Sequence, residues 1–463
     1  SSFKPFVYAT AFNKGYTSET VVFDVQTQFD THCATDPGKC YTPVNYDNIY
    51  RGPLTLRQAL AQSINIPALK VLYLVGIKDA IRQAAAMGIS TLTDPNRYGL
   101  TLVLGGGEVT LLDMVSAYGV FATEGERHPQ AAILRVEDDK GNMLEEYENK
   151  SSRVLPAESA RIVSDILADN EARRPSYGVG SPLEFTGRPV AVKTGTTNNY
   201  RDAWIIGYTP NVVVGAWAGN NDNTSMERKV AGLIVSPMWR AIMNAALEKQ
   251  PVEHFNPPPE IDQEIKPILR GLWGGGQRYV VDKISGKLAT EHTPEDLREE
   301  RVVGSVHSIL YWVNTEDPLG PAPTNPARDP QFELWEPPVR AWALANGYGD
   351  QNAVVMPEDY DDIHTPENMP EFTIESPDHD QTYNATDRIT IEVNYDGNYP
   401  LAQLDAFLND HYLGSVNRQP FHLIFSPQEI EDWQSSNQLR IVVYDEMRNR
   451  AEETTTLRLT GSN

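Results

Sequence analysis

Apolar residues along this chain follow two rhythms. Up to about residue 250 they recur at helical spacing or in short unbroken runs. After about residue 370 they alternate with polar residues. In the first part, "FVYATAF" follows Pro5 and predicts a helix reaching Lys14, with Gly15 as its stop. Thr55 and Gln58 in "TLRQ" predict a capping box that opens a helix through Ala61. Pro67 predicts the start of a second helix, "PALKVLYLV", ended by Gly76. Further helices are expected from Thr110 through "LLDMVSAYGVFAT" to Gly125, and from Pro156 through "AESARIVSDILA". Strands are expected at 189–195 ("PVAVKTG"), 203–208 ("AWIIGY") and 212–219 ("VVVGAWAG"). The last two form a predicted hairpin around Thr209-Pro210-Asn211. Helices followed by a run of antiparallel strands predict an α+β domain over 1–250 rather than a doubly wound sheet.

From Pro251 the chain turns proline-rich, with "NPPPE" and "DPLGPAPTNPARDP". That composition predicts a linker region over 251–369 with short ordered segments, one of them a hairpin within "YVVDKISGKLAT". From 370 to 463 the segments "FTIES", "RITIEVNY", "LDAFL", "FHLIF", "QLRIVVYD" and "ETTTLRL" alternate between turn signals such as Asp396-Gly397. They predict a small all-β sandwich.

At 463 residues the chain is long enough for two or three domains, and its 40% hydrophobic residues suffice for real cores. Asp and Glu number 63 against 39 Lys and Arg, a net charge of −24, which argues against nucleic acid and anionic membrane surfaces as partners. The most apolar long stretch, Ala203 to Gly219, is broken by Thr209-Pro210-Asn211 and reads as the hairpin rather than a membrane span. The two cysteines, Cys33 and Cys40, flank Asp36-Pro37-Gly38. They either close a short disulfide loop in an oxidising compartment or stay as two surface thiols. The nine histidines are scattered, so no metal site and no cofactor is expected. His411 and His422 read as strand decoration, and Trp204 and Trp217 as core or cleft walls.

Three short patterns carry chemistry together. "SSFK" places Ser1 and Lys4 three residues apart, on one face of a helical turn. "AQSINIPALK" puts Ser63 and Asn65 in the break between two helices, a hydroxyl to relay a proton beside an amide to bind a carbonyl. In "AVKTGTTNNYRDAW", Lys193, Thr194 and Thr196 set a cation and two hydroxyls at a strand end, suited to a carboxylate. Between them Gly195 carries no side chain to hold a substrate off the backbone. Each pattern alone is weak, but the three in this order form the serine acyl-enzyme signature of penicillin-binding proteins and class A β-lactamases.

The flanking text, "SSFKPF", "SINIPALK", "GGGEVTLLDMVSAYGVFATEG" and "KTGTTNNYRDAWIIGYTP", closely resembles the transpeptidase domain of class A (bifunctional) penicillin-binding proteins over residues 1–250. The sandwich resembles the immunoglobulin-like or fibronectin-like modules that some of them append. The resemblance implies Ser1 as nucleophile, Lys4 as its base, and Ser63 and Asn65 as proton shuttle and substrate binder. Lys193, Thr194, Gly195, Thr196 and Thr197 are implied to hold the substrate, with the backbone N–H groups of Ser1 and Thr196 as oxyanion hole. It further implies D-Ala-D-Ala-ended peptidoglycan stem peptides as substrates, β-lactam antibiotics as acylating inhibitors, and an extracytoplasmic location. Measured against that family, a glycosyltransferase domain, a membrane anchor and the strands ahead of the serine are missing. A fragment opening at the nucleophile is therefore expected, impaired in activity.

Four other readings compete. An N-terminal-nucleophile hydrolase would begin on a strand, whereas Pro5 starts a helix. A β-lactamase needs a glutamate for its hydrolytic water, and no E-x-x-L-N stretch lies between Asn65 and Lys193. A D,D-carboxypeptidase, or a non-catalytic penicillin sensor or wall-binding protein, shares the motifs and differs in the fate of the acyl-enzyme.

Overall fold

The computed structural model describes residues 1–226, 235–274, 277–303, 306–348, 356–430 and 433–460. Two compact units emerge, one of Ser1–Gly276 with Gly304–Ala353, the other of Gln277–Val303 with Val354–Asn463.

The first unit is α+β, as expected. Its helices are α1 (Lys4–Asn13), α2 (Leu56–Ala61), α3 (Asn65–Val75), α4 (Ile77–Met87), α5 (Leu111–Ala122), α6 (Ala157–Ala168), α7 (Asn170–Tyr177) and α8 (Ser236–Leu247). Every residue of α1 from Lys4 to Phe12 is buried, which explains why its sequence is apolar all round rather than striped. Phe6 meets Tyr118 of α5 edge-on at 5.5 Å, and Tyr118 meets Tyr208 at 6.1 Å, joining the helices to the sheet. The predicted capping box is formed: Thr55 accepts from Gln58 N, and the Gln58 side chain accepts from Thr55 N.

Helix α3 begins at Asn65, two residues ahead of the expected Pro67. The first backbone N–H groups of a helix have no partner inside it, so Pro67 loses nothing as the third residue. Helix α5 stops at Ala122, short of the expected Gly125. Of the strands, β1 (Val21–Asp24) and β2 (Gly52–Thr55) pair antiparallel, and short ribbons β3 to β6 lie between 126 and 153. The sheet that matters for chemistry is antiparallel β7 (Ala191–Thr196), β8 (Asp202–Thr209) and β9 (Val212–Gly219), in that order, with Gly195 opposite Trp204. Cys33 and Cys40 are joined as a disulfide. Among the described residues no helix is long and apolar enough to cross a membrane.

The proline-rich stretch holds more regular structure than its composition announces. Helix α9 (Ile309–Trp312) and the 14-residue helix α10 (Phe332–Ala345), with Pro337 and Pro338 inside it, belong to the first unit. Trp335 on α10 is fully buried against Phe29 and Tyr73, and its Nε1 donates to Gln331. Tertiary burial of this kind outweighs the missing backbone donors of two prolines.

In the second unit, β10 (Gln277–Asp282) pairs antiparallel with β11 (Arg298–Val303). The expected hairpin within "YVVDKISGKLAT" survives as a tight turn with a single bridge, Val281 to Leu288, while the long ladder goes to β11. The remaining strands, β12 (Glu371–Ser376), β13 (Thr382–Asn384), β14 (Ile389–Asp396), β15 (Leu401–Leu408), β16 (His411–Val416), β17 (Leu423–Phe425), β18 (Ser436–Asp445) and β19 (Arg450–Thr460), make two sheets. Their orders are β12–β14–β17 and β13–β19–β18–β15–β16. Ile389 and Ile391 from one sheet share a core with Leu404, Ile441 and Leu457 from the other.

Candidate active site

Ser1 and Ser2 precede α1, and the turn is closed by Lys4 N donating to the Ser1 carbonyl at 3.1 Å. The Ser1 nitrogen donates to Leu104 O at 2.9 Å, and Tyr118 Oη donates to Ser2 O at 2.6 Å, so the turn is tied to two other segments. Ser1 lines a cleft of about 690 Å³ together with Gly105, Gly106, Thr196, Arg201 and Trp204. As first residue of α1, Lys4 points inward and is wholly buried. Its Nζ donates to Ser63 O at 2.7 Å and to Asn65 Oδ1 at 2.9 Å, with Ser63 Oγ at 3.4 Å.

Ser63 occupies the break between α2 and α3 with φ of +61°, a left-handed conformation unusual for serine. Backbone held in such a region persists only where the surroundings fix it, and it clusters at functional sites. Here two lysines hold the residue. Lys193 Nζ, on β7, donates to Ser63 Oγ at 2.7 Å and to Thr194 O at 2.9 Å. The three patterns, far apart along the chain, thus meet through one hydroxyl. Burial, and then the charge of Lys193, holds the Lys4 amine well below the usual lysine range. Burial, and then Arg173, pushes Lys193 down to about 7.

The residues at the end of β7 differ in what they meet. Gly195, Thr196 and Thr197 line the cleft. The Thr194 hydroxyl, expected to hold a carboxylate beside that of Thr196, shares a 2.7 Å hydrogen bond with Tyr177 Oη. Thr197 closes the β7–β8 connection: its Oγ1 donates to Asp202 Oδ2 at 2.8 Å and accepts from Asp202 N at 2.9 Å. Trp217 Nε1 donates to the other Asp202 oxygen at 3.0 Å, which places Trp217 and Trp204 on the cleft wall.

Sequence reasoning missed the residues beneath Asn65. Ile64, at the N-cap of α3, offers no capping side chain. Buried Asn45 caps the helix from a distant loop, its Oδ1 accepting from Asn65 N and Ile66 N at 3.1 Å each. Asn45 Nδ2 in turn donates to Asp24 at 2.7 Å and to Ile49 O at 2.8 Å. An asparagine in the loop text "PVNYDN" carries no local mark of this duty, because its partner lies 20 residues on. Behind it, burial raises the Asp24 carboxyl against the hydrogen bonds from Asn45 and Arg51. Buried Lys70, pushed down to about 7 by burial, donates to Phe23 O at 2.7 Å.

The family described as "Penicillin binding protein transpeptidase domain" matches residues 1–244. Penicillin-binding protein 1A of Aquifex aeolicus (strain VF5) is 33% identical over 265 residues, covering 56% of this chain and 34% of its own length. The protein of the same name from Neisseria lactamica is 32% identical over 258 residues, covering 54% and 31%. The chain therefore spans about a third of the length of these curated relatives. The crystal structure of penicillin-binding protein 1A from Haemophilus influenzae aligns at 24% identity with a TM-score of 0.49, covering 66% of this chain and 47% of that one. The matched span contains Ser1, Lys4, Ser63, Asn65 and the Lys193–Thr196 strand end alike, and on it the chain belongs to the penicillin-binding protein transpeptidase family.

Proposed function

We propose that this protein is a serine-type D,D-transpeptidase that cross-links peptidoglycan stem peptides and is acylated by β-lactams, acting on the extracytoplasmic side of the cell membrane. The observation that carries the reading is the Lys4–Ser63–Lys193 network, in which both lysines are buried. A neutral Lys4 has two N–H groups, and Ser63 O and Asn65 Oδ1 at 2.7 and 2.9 Å take both. Its lone pair is then free to accept the Ser1 proton as Oγ attacks the penultimate D-Ala carbonyl. Ser63 Oγ accepts from Lys193 at 2.7 Å and faces Lys4 Nζ at 3.4 Å, which leaves its own proton to be given to the cleft. That arrangement passes the proton from Lys4 through Ser63 to the departing amine of the terminal D-Ala. The acyl-enzyme then gives its acyl group to an amine of a neighbouring stem.

Thr196 and the positive charge of Lys193 hold the terminal carboxylate in this reading, and Tyr177 buttresses Thr194 rather than substrate. The Ser1 nitrogen, directed at Leu104 O, turns to the oxyanion only when substrate displaces that contact. The β-strand unit is read as a non-catalytic, immunoglobulin-like module.

Product analysis tests the assignment. A D-Ala-D-Ala-ended peptide donor and a labelled amine acceptor should give release of D-Ala together with a cross-linked product. Release of D-Ala with only hydrolysed donor identifies a carboxypeptidase, and no release removes the enzymatic reading. The pH profile adds a second check. The base must be neutral and the carboxylate-binding lysine charged, and Lys193 is charged only below about 7. The second-order acylation rate should therefore fall as pH rises through about 7, the value to which Lys193 is pushed. A rate that climbs steadily up to about pH 9 contradicts the assigned role of Lys193.

A further inference from the structure

We infer that Asp282, Asp361 and His364 of the second unit form a binding site for one divalent transition-metal ion. All three side chains are buried, at 0%, 4% and 0% exposure, and their ligand-capable atoms lie within 4.8 Å of one another. The scattered histidines of the sequence announced none of this; the turn after β10 and the "DDIH" loop bring the groups together.

The hydrogen-bond directions define the chemistry. His364 Nε2 faces Met447 O at 2.8 Å, and a carbonyl only accepts, so Nε2 carries a proton. The neutral ring then presents a bare Nδ1 to Asp361 Oδ2 at 2.6 Å and to Asp282 Oδ1 at 3.7 Å. Three lone-pair donors cannot face one another unpaired. Either a proton sits in the cluster, on Nδ1 or on an aspartate oxygen, or a metal ion sits among them. A single proton, wherever it sits, leaves the buried cluster with one negative charge in excess. It also leaves Asp282 Oδ1, which has no hydrogen-bond partner, still unsatisfied. A divalent ion neutralises both carboxylates and takes up that orphan oxygen.

The remaining contacts have the character of supports for ligands. Asp282 Oδ2 accepts from Ile284 N at 3.0 Å and from Ser285 N, and Asp361 Oδ1 accepts from Ile363 N at 3.0 Å. Asp282 is thus anchored through Oδ2 alone with Oδ1 directed inward, while Asp361 is held at both oxygens. Thr293 Oγ1 donates to Asp361 Oδ2 at 2.7 Å, and the carbonyl on Nε2 fixes the histidine tautomer, as partners of metal ligands do. The local cations are committed elsewhere: Lys287 pairs with Asp362, and Arg298 donates to the carbonyls of Thr290, Glu291 and Thr293. One imidazole and two carboxylates form a borderline-hard set that suits zinc, with a fourth position left for water.

Tag-free, EDTA-treated full chain is titrated with zinc chloride, and separately with cobalt chloride, followed by calorimetry, visible absorption and melting. One equivalent of zinc should bind and raise the melting temperature, and cobalt should give the absorption of a four- or five-coordinate site. Asp282→Asn keeps the side-chain volume and one oxygen for the turn, so it should fold yet bind zinc at least about 100-fold more weakly. His364→Ala should do the same, and Asp30→Asn, at the exposed Asp30–His32 pair, should change nothing. Equal zinc affinity in wild type and Asp282→Asn overturns the site. So does a ¹⁵N spectrum in which both His364 nitrogens stay protonated with zinc present, since that is the metal-free imidazolium.

Discussion

Ser1→Ala should abolish covalent labelling of the intact protein by a fluorescent penicillin, a loss of at least about 10⁴-fold in acylation rate. The size follows from the chemistry: without Oγ there is no atom to form the acyl bond, and no neighbouring hydroxyl replaces it. Ser2 is the nearest candidate, but it lies two residues from Lys4, and its carbonyl is pinned by Tyr118. Ser2→Ala should therefore keep most of the labelling. Lys4→Ala should cost about 10²–10⁴, the span of a general base. It also removes the donor from Ser63 O and Asn65 Oδ1 in a buried site, so a fall in melting temperature should accompany it. Mass spectrometry of the labelled peptide reads the outcome. An adduct on Ser2, or undiminished labelling of Ser1→Ala, would defeat the nucleophile assignment.

The three sequence patterns stood out because each is local: Ser1 and Lys4 lie one helical turn apart, Ser63 and Asn65 flank one helix break, and Lys193 to Thr196 share one strand. Their meeting at Ser63 Oγ was legible only through family resemblance, since no local rule ties residue 4 to residue 193. The supports escaped notice for the same reason. Asn45 caps a helix 20 residues away, Tyr177 reaches Thr194 across 17 residues, and Arg173 acts on Lys193 by charge alone. Composition misled most over 251–369. Prolines weaken a helix through missing donors, yet α10 gains more from burying Trp335 and Val339 than it loses. Turn chemistry located the bend after Asp282 correctly, but not which strand would take the longer ladder, because pairing is decided by packing at a distance.

Gly195→Ala should lower the acylation rate by about 100-fold while the protein stays folded. The glycine is not there for backbone freedom: it lies within β7 and pairs regularly with Trp204, a conformation alanine adopts readily. It is there for space. A methyl group at Gly195 would sit 3.1 Å from the Ser2 nitrogen, 3.1 Å from Ser2 Oγ and 3.3 Å from Ser2 Cβ. A gap that tight forces one partner to give by a few tenths of an ångström. The Ser1–Ser2 turn is held by Leu104, Tyr118 and Lys4 N, so it resists movement. The edge strand yields instead, since β8 is its one strand partner among the described residues. Lys193 and Thr196 move with it, loosening the 2.7 Å contact to Ser63 and displacing the cleft wall beside Ser1. A displacement of that order in a positioned site costs about 10² in rate, whereas overpacking at this margin costs only about 1–3 kcal/mol in stability. Stopped-flow acylation and thermal melting separate the two effects. Removing the hydroxyl as well, in Ser2→Ala with Gly195→Ala, should recover only part of the rate, because the backbone nitrogen still stands 3.1 Å away. Wild-type acylation by Gly195→Ala would mean that β7 does not need this close approach to the nucleophile turn.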